Sequence, residues 1–353
     1  MTRVVVVVIL HAPAGPDAGP LTEAFAGIRR QNAERLAAGF RAAGADEARI
    51  VDEEAGPAGF AGLVRAAAAR AGRAGLVILG SGSIPLATPG DRRAFVAAAR
   101  GPAGRALTNN RYSGDIVAVP DGAVLAGLPD LASDNALPRW LAETAGMEVH
   151  DLRGRRRLQV DLDSPLDALL VGGRLAREVA TDAAETVRAT IERVRACSRD
   201  PRAELLVTGR ASAAGLAWLE RATASRTRAL IEERGFRTRP GDLAQRPAAS
   251  TLGLLLDRDE PAALGSILAG IGDAALVDTR VLLAHRFGAE ERGWPVGEDR
   301  FASDLLLAER IADPWLRALT AGVRAAPIPI VLGGHTLVGP GLRLALDGRR
   351  SWT

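Results

Sequence analysis

Two aspartates two residues apart, Asp161 and Asp163, stand at the end of an apolar segment and precede Ser164-Pro165. We predict a strand over 158–163, and residues two apart on a strand point to the same face of a sheet. Neighbouring carboxylates repel each other unless a cation or hydrogen-bond donors compensate their charge, and this arrangement is typical of Mg²⁺ bound to nucleotide phosphates. The alternative is a capped strand-to-helix turn with solvated carboxylates and with Asp167 in the first helical turn.

A second polar segment, Gly80-Ser81-Gly82-Ser83, follows a short apolar strand over Leu76 to Leu79. Its glycines would let backbone N–H groups come close to a base or to phosphates. The alternative is an ordinary loop, because short runs of glycine and serine are common in turns. A third polar segment would supply side-chain hydrogen bonds to the same ligand, and its residues are Thr108, Asn109 and Asn110.

The basic residues are all arginine, because the chain contains no lysine among its 45 basic residues. This excludes a phosphate-binding P-loop lysine, a Schiff-base lysine and the lysine of the protein-kinase fold. Arg29 and Arg30, on a helix predicted over Glu23 to Ala43, are candidate phosphate ligands, since a guanidinium binds phosphate bidentately. The alternative is that both arginines lie on the solvated face of that helix.

The second half of the chain has its own polar residues within apolar surroundings: Asp278, Arg280 and His335. His335 follows a predicted strand and Gly333-Gly334, and a histidine there could titrate near neutrality. These residues form either a separate active site or a structural pair between Asp278 and an arginine, because a buried unpaired charge is costly. The four histidines do not have the spacing of zinc ligands.

Length and composition indicate a globular protein of two domains. The chain has 353 residues, of which 47% are apolar and 25% charged, with a net charge of +3. The modest net charge does not favour a nucleic-acid partner. The single cysteine, Cys197, cannot form an intramolecular disulfide, and no segment approaches ~18 consecutive apolar residues. We therefore expect a cytoplasmic protein without a membrane span, and we interpret Val4 to Leu10 as a buried strand rather than a signal peptide.

Strands and helices alternate along the first half, which predicts crossover connections and a mainly parallel sheet. A long helical stretch, Leu175 to Cys197, ends at Ser198-Arg199-Asp200-Pro201, where we place the domain boundary. The second half is predicted to be richer in helix, with a strand at Glu204 to Thr208 and a helix from Ala213 to about Glu233. Leu276 to Leu283 fits either a strand or a helix.

The glycine–serine turn with Ile84-Pro85-Leu86, the Thr108 to Asn110 segment and the Asp161 to Asp167 motif resemble one family in their order. That family is the nucleotidyltransferases of the guanylyl- and cytidylyltransferase type, in particular the phospholactate guanylyltransferases of deazaflavin-cofactor synthesis and their molybdenum-cofactor relatives. The resemblance covers about residues 3 to 175. It implies a three-layer, Rossmann-like α/β fold for the first domain, over 1–199. The pattern of strands and helices predicts a second, helix-rich mixed α/β domain over 203–353.

The resemblance also implies a function, which is Mg²⁺-dependent transfer of a nucleoside monophosphate from a triphosphate to a small phosphorylated acceptor in cofactor synthesis. Asp163 and Asp161 would bind Mg²⁺. One departure favours an alternative: Gly82-Ser83 stand where the family has a metal-binding aspartate. The alternative is a non-catalytic relative that binds a nucleotide or metabolite, with the second domain serving regulation or assembly into a homo-oligomer.

Overall fold

The computed structural model describes residues 3–52, 59–131, 134–179, 181–233 and 247–348. The chain forms two compact units, the first comprising 1–16, 26–162 and 240–242 and the second 17–25, 163–239 and 243–353. The boundary predicted between residues 199 and 203 therefore falls inside the second unit. None of the helices in the described ranges combines the length and the apolar composition that a bilayer crossing requires.

The first unit is built on a mixed six-stranded sheet with the strand order β2-β1-β3-β5-β4-β6. Every neighbouring pair is parallel except for β5, which runs antiparallel to both β3 and β4. The strands are β1 (Val5–His11), β2 (Glu47–Asp52), β3 (Gly75–Gly80), β4 (Arg105–Thr108), β5 (Ile116–Val119) and β6 (Glu148–Asp151).

Helices cover both faces of this sheet, so the first unit has three layers. Alternate residues of β1 pack into two different hydrophobic clusters, which explains why the strand is apolar throughout. One cluster includes residues of α1 and α3, and the other includes residues of α2 and α4. The helices are α1 (Pro20–Ala42, of which residues 26–42 belong to this unit), α2 (Gly59–Ala71), α3 (Pro89–Arg100) and α4 (Leu137–Glu143). Short 3₁₀ helices occupy Gly122–Gly127, Asp134–Ala136 and Arg156–Gln159.

The strand predicted over 158–163 is wrong. Arg156–Gln159 forms a 3₁₀ helix, and Asp161 makes only a single antiparallel bridge, with Ser83. Two arginines of this segment bind Asp91, and the coiled backbone lets both reach it. Arg157 Nη2 lies 2.7 Å and Arg155 Nη1 2.9 Å from Asp91 Oδ1. The alternation of side chains along a strand therefore does not apply to Asp161 and Asp163.

The second unit contains a parallel four-stranded sheet with the order β10-β9-β7-β8. Its strands are β7 (Glu204–Gly209), β8 (Arg226–Ile231), β9 (Ala274–Asp278) and β10 (Ile330–Gly333). Its helices are α5 (Pro165–Val171), α6 (Arg174–Arg177), α7 (Thr181–Arg199), α8 (Ala213–Ala222), α9 (Thr251–Asp259), α10 (Leu264–Ala269), α11 (Thr279–Phe287), α12 (Gly297–Asp304), α13 (Pro314–Arg324), α14 (His335–Val338) and α15 (Leu342–Asp347). Further 3₁₀ helices lie at Pro261–Ala263, Glu291–Gly293 and Ala308–Arg310.

The helix predicted from Ala213 to about Glu233 is also wrong, since α8 ends at Ala222 and the strand β8 follows. β8 lies at the edge of the sheet and most of its residues are exposed. Its apolar residues therefore need not alternate with polar ones, and the sequence lacks the pattern of a half-buried strand. The segment from Leu276 to Leu283, which fitted either a strand or a helix, contains both. The strand β9 ends at Asp278, and the helix α11 begins at Thr279.

Candidate functional site

In the first unit, the strands that follow β1 along the chain are added to the sheet on opposite sides of it. The chain passes from β1 to β2 on one side and then to β3 on the other side of β1. In open α/β sheets such a reversal opens a crevice outside the carboxyl ends of the two central strands, and ligands bind there. These ends are His11 on β1 and Gly80 on β3. The predicted Gly80 to Ser83 turn thus lies where the topology favours a ligand.

Buried polar contacts hold this turn. Ser81 N–H donates to the Leu10 carbonyl at 2.8 Å, and Ser81 Oγ lies 3.1 Å from His11 Nδ1. The Asn32 amide donates to the carbonyls of Ser81 and Ser83 at 2.8 and 3.2 Å. His11 and Asn32 were missed as candidates from the sequence. The end of β1 could have indicated His11, whereas Asn32 lies within a long amphipathic helix.

Gly82 is the more crowded of the two glycines in the turn. A Cβ at this residue would lie 2.8 Å from the Leu162 carbonyl oxygen, 3.0 Å from Asp161 Oδ1 and 3.4 Å from Arg29 Nε. The backbone of the turn therefore approaches a carboxylate and a guanidinium as only glycine allows. Two of the predicted site residues, Asp161 and Arg29, meet at this glycine.

Ile84, which directly follows the Gly80 to Ser83 turn, is fully buried and has a φ of +44°. Positive φ is a true outlier for a β-branched residue, and strained backbone of this kind is concentrated at ligand-binding and catalytic sites. The strain lies immediately beyond the Gly80 to Ser83 turn, which is consistent with a functional role for the turn.

The two candidate arginines differ in their environment. Arg30 pairs with both carboxylate oxygens of Asp52 and contacts Glu34 Oε1 at 3.3 Å, and its side chain is 38% exposed. Arg29 Nε is buried and has no hydrogen-bond partner among the described residues. Burial, the positive charge of Arg29 and, to a smaller extent, that of Arg30 lower the pKa of His11, while Asp52 opposes this effect.

The predicted hydrogen-bonding segment is engaged within the protein. Thr108 and Asn109 are fully buried, and Thr108 Oγ donates to the Ile116 carbonyl at 2.9 Å. The Asn109 amide donates to Asp115 Oδ2 and to the Leu158 carbonyl, both at 2.8 Å. Asn110 Oδ1 accepts the N–H of Tyr112 at 3.0 Å. These contacts brace the loop between β4 and β5.

Asp163, the other predicted metal ligand, belongs to the second unit and is exposed. Its backbone N–H donates to Asp167 Oδ2 at 2.9 Å. Ser164 and Asp167 form a capping box at the start of α5, which agrees with the capped turn, but Asp167 is buried rather than solvated. Burial, together with the negative charges of Asp163 and Asp304, raises the pKa of Asp167 well above its ordinary value.

The sheet of the second unit also reverses its connections, and Asp278 lies at that reversal. The chain moves from β7 to β8 on one side and to β9 on the other, and β9 ends at Asp278. Gly209, at the end of β7 with a φ of +117°, leaves room for Asp278, whose Cβ would be 2.3 Å from a Cβ at residue 209. Arg210 Nε and Nη2 donate to the Asp278 carboxylate at 2.6 and 3.0 Å.

At this edge of the second unit's sheet, the buried carboxylates of Asp278 and Asp304 are each paired with an arginine. Burial would raise the pKa of Asp278, but the Arg210 guanidinium outweighs it and holds the pKa below its usual value. Arg280 donates to both oxygens of Asp304, with Nη2 to Oδ2 at 2.7 Å. His335 is exposed and follows β10. Asp278 therefore has the structural arginine partner that the sequence allowed, and the partner is Arg210, which the sequence did not identify.

Within the described ranges, no group of three or more histidine, cysteine, aspartate or glutamate side chains is arranged to hold a metal ion. Asp161 is the carboxylate beside Gly82, and its Oδ1 accepts the N–H of Leu162 at 2.9 Å. Asp161 is therefore a carboxylate that lies against the turn after β3.

Comparisons with known proteins do not place the chain in a family. A scan against protein-family models finds no match, and searches of curated proteins and of solved structures find no significant match.

Proposed function

We propose that the first unit binds a nucleoside triphosphate at the carboxyl ends of β1 and β3 and transfers its nucleoside monophosphate to a small phosphorylated acceptor. The observation that carries this proposal is the buried, unpartnered Nε of Arg29 beside Gly82. This nitrogen lies at the reversal of the strand order, where α/β sheets bind ligands. The resemblance of the sequence to nucleotidyltransferases supplies the reaction class.

The chemistry of Arg29 favours an anion. A buried charged N–H without an acceptor loses its hydration and gains nothing in return, which costs about 1–3 kcal/mol or more. A phosphate oxygen would supply the missing acceptor, and hydrogen bonds between a guanidinium and phosphate are among the strongest in proteins. Arg30 contributes less to this positive charge, because Asp52 and Glu34 already pair with it.

In the proposed reaction a phosphate oxygen of the acceptor attacks the α-phosphorus of the triphosphate. The bond from the α-phosphorus to the oxygen that bridges to the β-phosphorus breaks, and pyrophosphate leaves. No proton has to be removed from an ionised phosphate nucleophile, so the protein needs no general base. Its residues act by orienting the phosphates and neutralising their charge, which are the dominant contributions to phosphoryl transfer. Arg29 neutralises part of the phosphate charge.

The residues fit a Mg²⁺ that arrives with the nucleotide. Mg²⁺ in phosphate-transfer sites is commonly held by one or two carboxylates together with substrate phosphates, and Asp161 is the carboxylate at Gly82. The ion would add charge neutralisation on the phosphates when bound. A site in which one carboxylate shares the ion with the substrate does not require the cluster that is missing from the described residues.

A specific observation favours a second candidate, a relative that binds a nucleotide without catalysis. Gly82-Ser83 stand where the resembling family has an aspartate, and Ser83 Oγ is engaged with the Asp115 carbonyl at 3.1 Å. A protein with this turn could retain the phosphate contacts of Arg29 and yet not reach the charge neutralisation that transfer requires.

The test is calorimetric titration of each common nucleoside triphosphate, with and without Mg²⁺, into wild type, Arg29→Gln and Asp161→Asn. Loss of one charge-assisted hydrogen bond should weaken binding about tenfold to a hundredfold in Arg29→Gln. Arg93→Gln is the matched control, because Arg93 is exposed on α3 and should leave the affinity unchanged.

Transfer itself is measured by pyrophosphate release with phosphorylated hydroxy acids, including phospholactate, as acceptors. Release that depends on Asp161 supports the transferase. Tight, Arg29-dependent binding without release with any acceptor supports the non-catalytic relative. Absence of binding by every nucleotide contradicts both candidates.

A further inference from the structure

His11 lies at the same reversal of the strand order as Arg29, yet phosphoryl transfer between phosphates gives it no task as a base. It is the last residue of β1, it is 5% exposed, and it pairs in register with Asp52 of β2. Among the described residues its imidazole hydrogen-bonds through Nδ1, to Ser81 Oγ at 3.1 Å, which leaves Nε2 for a ligand.

We propose that His11 binds the phosphates of the nucleotide together with Arg29 and takes up a proton as the nucleotide binds. This inference rests on the proposed function, because it assigns the charge of the ligand at the same site. It adds a second cation that is absent from the free protein and forms only when a polyanion is present.

The surroundings of His11 favour its neutral form when no ligand is bound. Arg29 and Arg30 face it from α1, Asp52 faces it from β2, and Ser81 contacts it from the turn after β3. The Arg30 and Asp52 charges pair with each other, so the remaining cation that acts on His11 is Arg29, which meets the Asp161 carboxylate at Gly82. One positive charge and burial both oppose protonation, and they lower the pKa of His11.

A bound triphosphate would reverse this balance. It brings three to four negative charges to the site that His11 shares with Arg29, and a nearby opposite charge favours the charged imidazole. With a proton on each nitrogen, Nδ1–H donates to Ser81 Oγ and Nε2–H is available to a phosphate oxygen. The Ser81 contact thereby fixes the ring without occupying the nitrogen that the ligand needs.

Proton uptake couples affinity to pH with a defined sign. Between the pKa of His11 in the free protein and its higher pKa in the complex, binding consumes a proton, so affinity falls as the pH rises. The dissociation constant should increase by up to about tenfold per pH unit in this interval. Outside the interval the dissociation constant should lose this dependence.

The experiment is calorimetric titration of the nucleoside triphosphate that binds most tightly, at a fixed Mg²⁺ concentration. It is carried out at one pH near neutrality in buffers of different ionisation enthalpy, which gives the number of protons taken up. Wild type is compared with His11→Asn, whose amide keeps a polar group near Nδ1, and with His150→Gln. His150 is an exposed histidine on β6, paired with Glu148, and serves as the matched control.

The expected result is an uptake approaching one proton for wild type and His150→Gln, lost in His11→Asn together with at least a tenfold loss of affinity. Any proton that the nucleotide itself exchanges is common to all three proteins. Binding with equal uptake in wild type and His11→Asn would overturn the role of His11 and leave the proposed function intact.

Failure of every nucleotide to bind wild type would instead contradict the proposed function, and the role of His11 with it. If His11→Asn does not fold, the pH series on wild type decides the matter. A dissociation constant that stays constant from pH 6 to 8 overturns the inference, and one that rises with pH supports it.

Discussion

Asp161 Oδ1 lies 3.0 Å from the position that a Cβ on Gly82 would occupy, and the Leu162 carbonyl oxygen lies closer still, at 2.8 Å. The carboxylate is thus held against the backbone of the turn after β3. Because Gly82 also accepts the N–H of Leu162 at 3.1 Å, any added side chain must displace backbone as well as Asp161.

Gly82→Ala should therefore lower the free energy of unfolding by about 1–3 kcal/mol, the usual cost of overpacking. The matched control is Gly27→Ala on α1, where a Cβ meets no atom within 4 Å. That exchange should stabilise the protein by about 0.5–1 kcal/mol, because alanine favours the helix. Urea unfolding of both variants measures the difference, and equal effects of the two exchanges would contradict the crowding at Gly82.

Asp91 should make stability depend on pH under acidic conditions. Burial opposes ionisation of this carboxyl, but Arg157, the Thr88 cap and Arg155 outweigh it and lower its pKa to about 2. Since the folded pKa lies below the unfolded value of 3.8, the stabilisation is complete above about pH 4. It is lost as the pH falls towards 2, and it amounts to about 2 kcal/mol.

Thermal or denaturant unfolding of Asp91→Asn between pH 2 and 6 checks this, with Asp130→Asn as the control. Asp130 pairs with Arg65 but its side chain is 73% exposed, so its removal should leave the pH profile unchanged. A profile for Asp91→Asn parallel to that of wild type would show that Asp91 is not the carboxyl responsible.

Arg280→Ala should be strongly destabilising, by about 3–5 kcal/mol, because it leaves the Asp304 carboxylate buried without its cation. The double variant Arg280→Met/Asp304→Leu removes both charges and should recover most of this loss. Guanidinium unfolding of the three proteins measures the recovery. A double variant as unstable as Arg280→Ala would mean that volume, rather than the unpaired charge, dominates.

Asn109→Ala should act on stability rather than on ligand binding alone. The amide of Asn109 donates to Asp115 Oδ2 and to the buried Leu158 carbonyl, and its Oδ1 accepts the N–H of Asp115 at 3.0 Å, so truncation removes three hydrogen bonds. We expect a loss of about 2 kcal/mol or more in the free energy of unfolding. Asn110→Ala, at the partly exposed neighbour, should cost less than half as much in the same denaturant titration.

The sequence predicted the α/β class, the buried first strand and the position of the glycine–serine turn, because these follow from local apolar runs and from glycine. It could not predict that residues 156–159 coil into a 3₁₀ helix, since that depends on the arginines reaching Asp91, more than 60 residues earlier. The exposed edge strand β8 was missed because it has no buried face to impose a pattern.

The candidate site was predicted in part for a similar reason. Gly82, Asp161 and Arg29 were proposed from three separate segments, and the fold brings them together. His11 and Asn32 escaped notice because their roles arise from the strand order and from contacts with the turn, not from any local motif. Arg210 was missed likewise, since its partner Asp278 lies 68 residues away.

At Ile84 the backbone and the core make opposite demands on one residue. An isoleucine held at a φ of +44° costs of order 1–3 kcal/mol, which a glycine would largely avoid. Glycine would also remove a fully buried side chain from the core, and truncation of a buried isoleucine costs about 2–5 kcal/mol. A library selected for survival on heating should therefore retain an apolar side chain at residue 84, and the core thereby keeps the strained backbone beside the turn that carries Ser81 and Ser83.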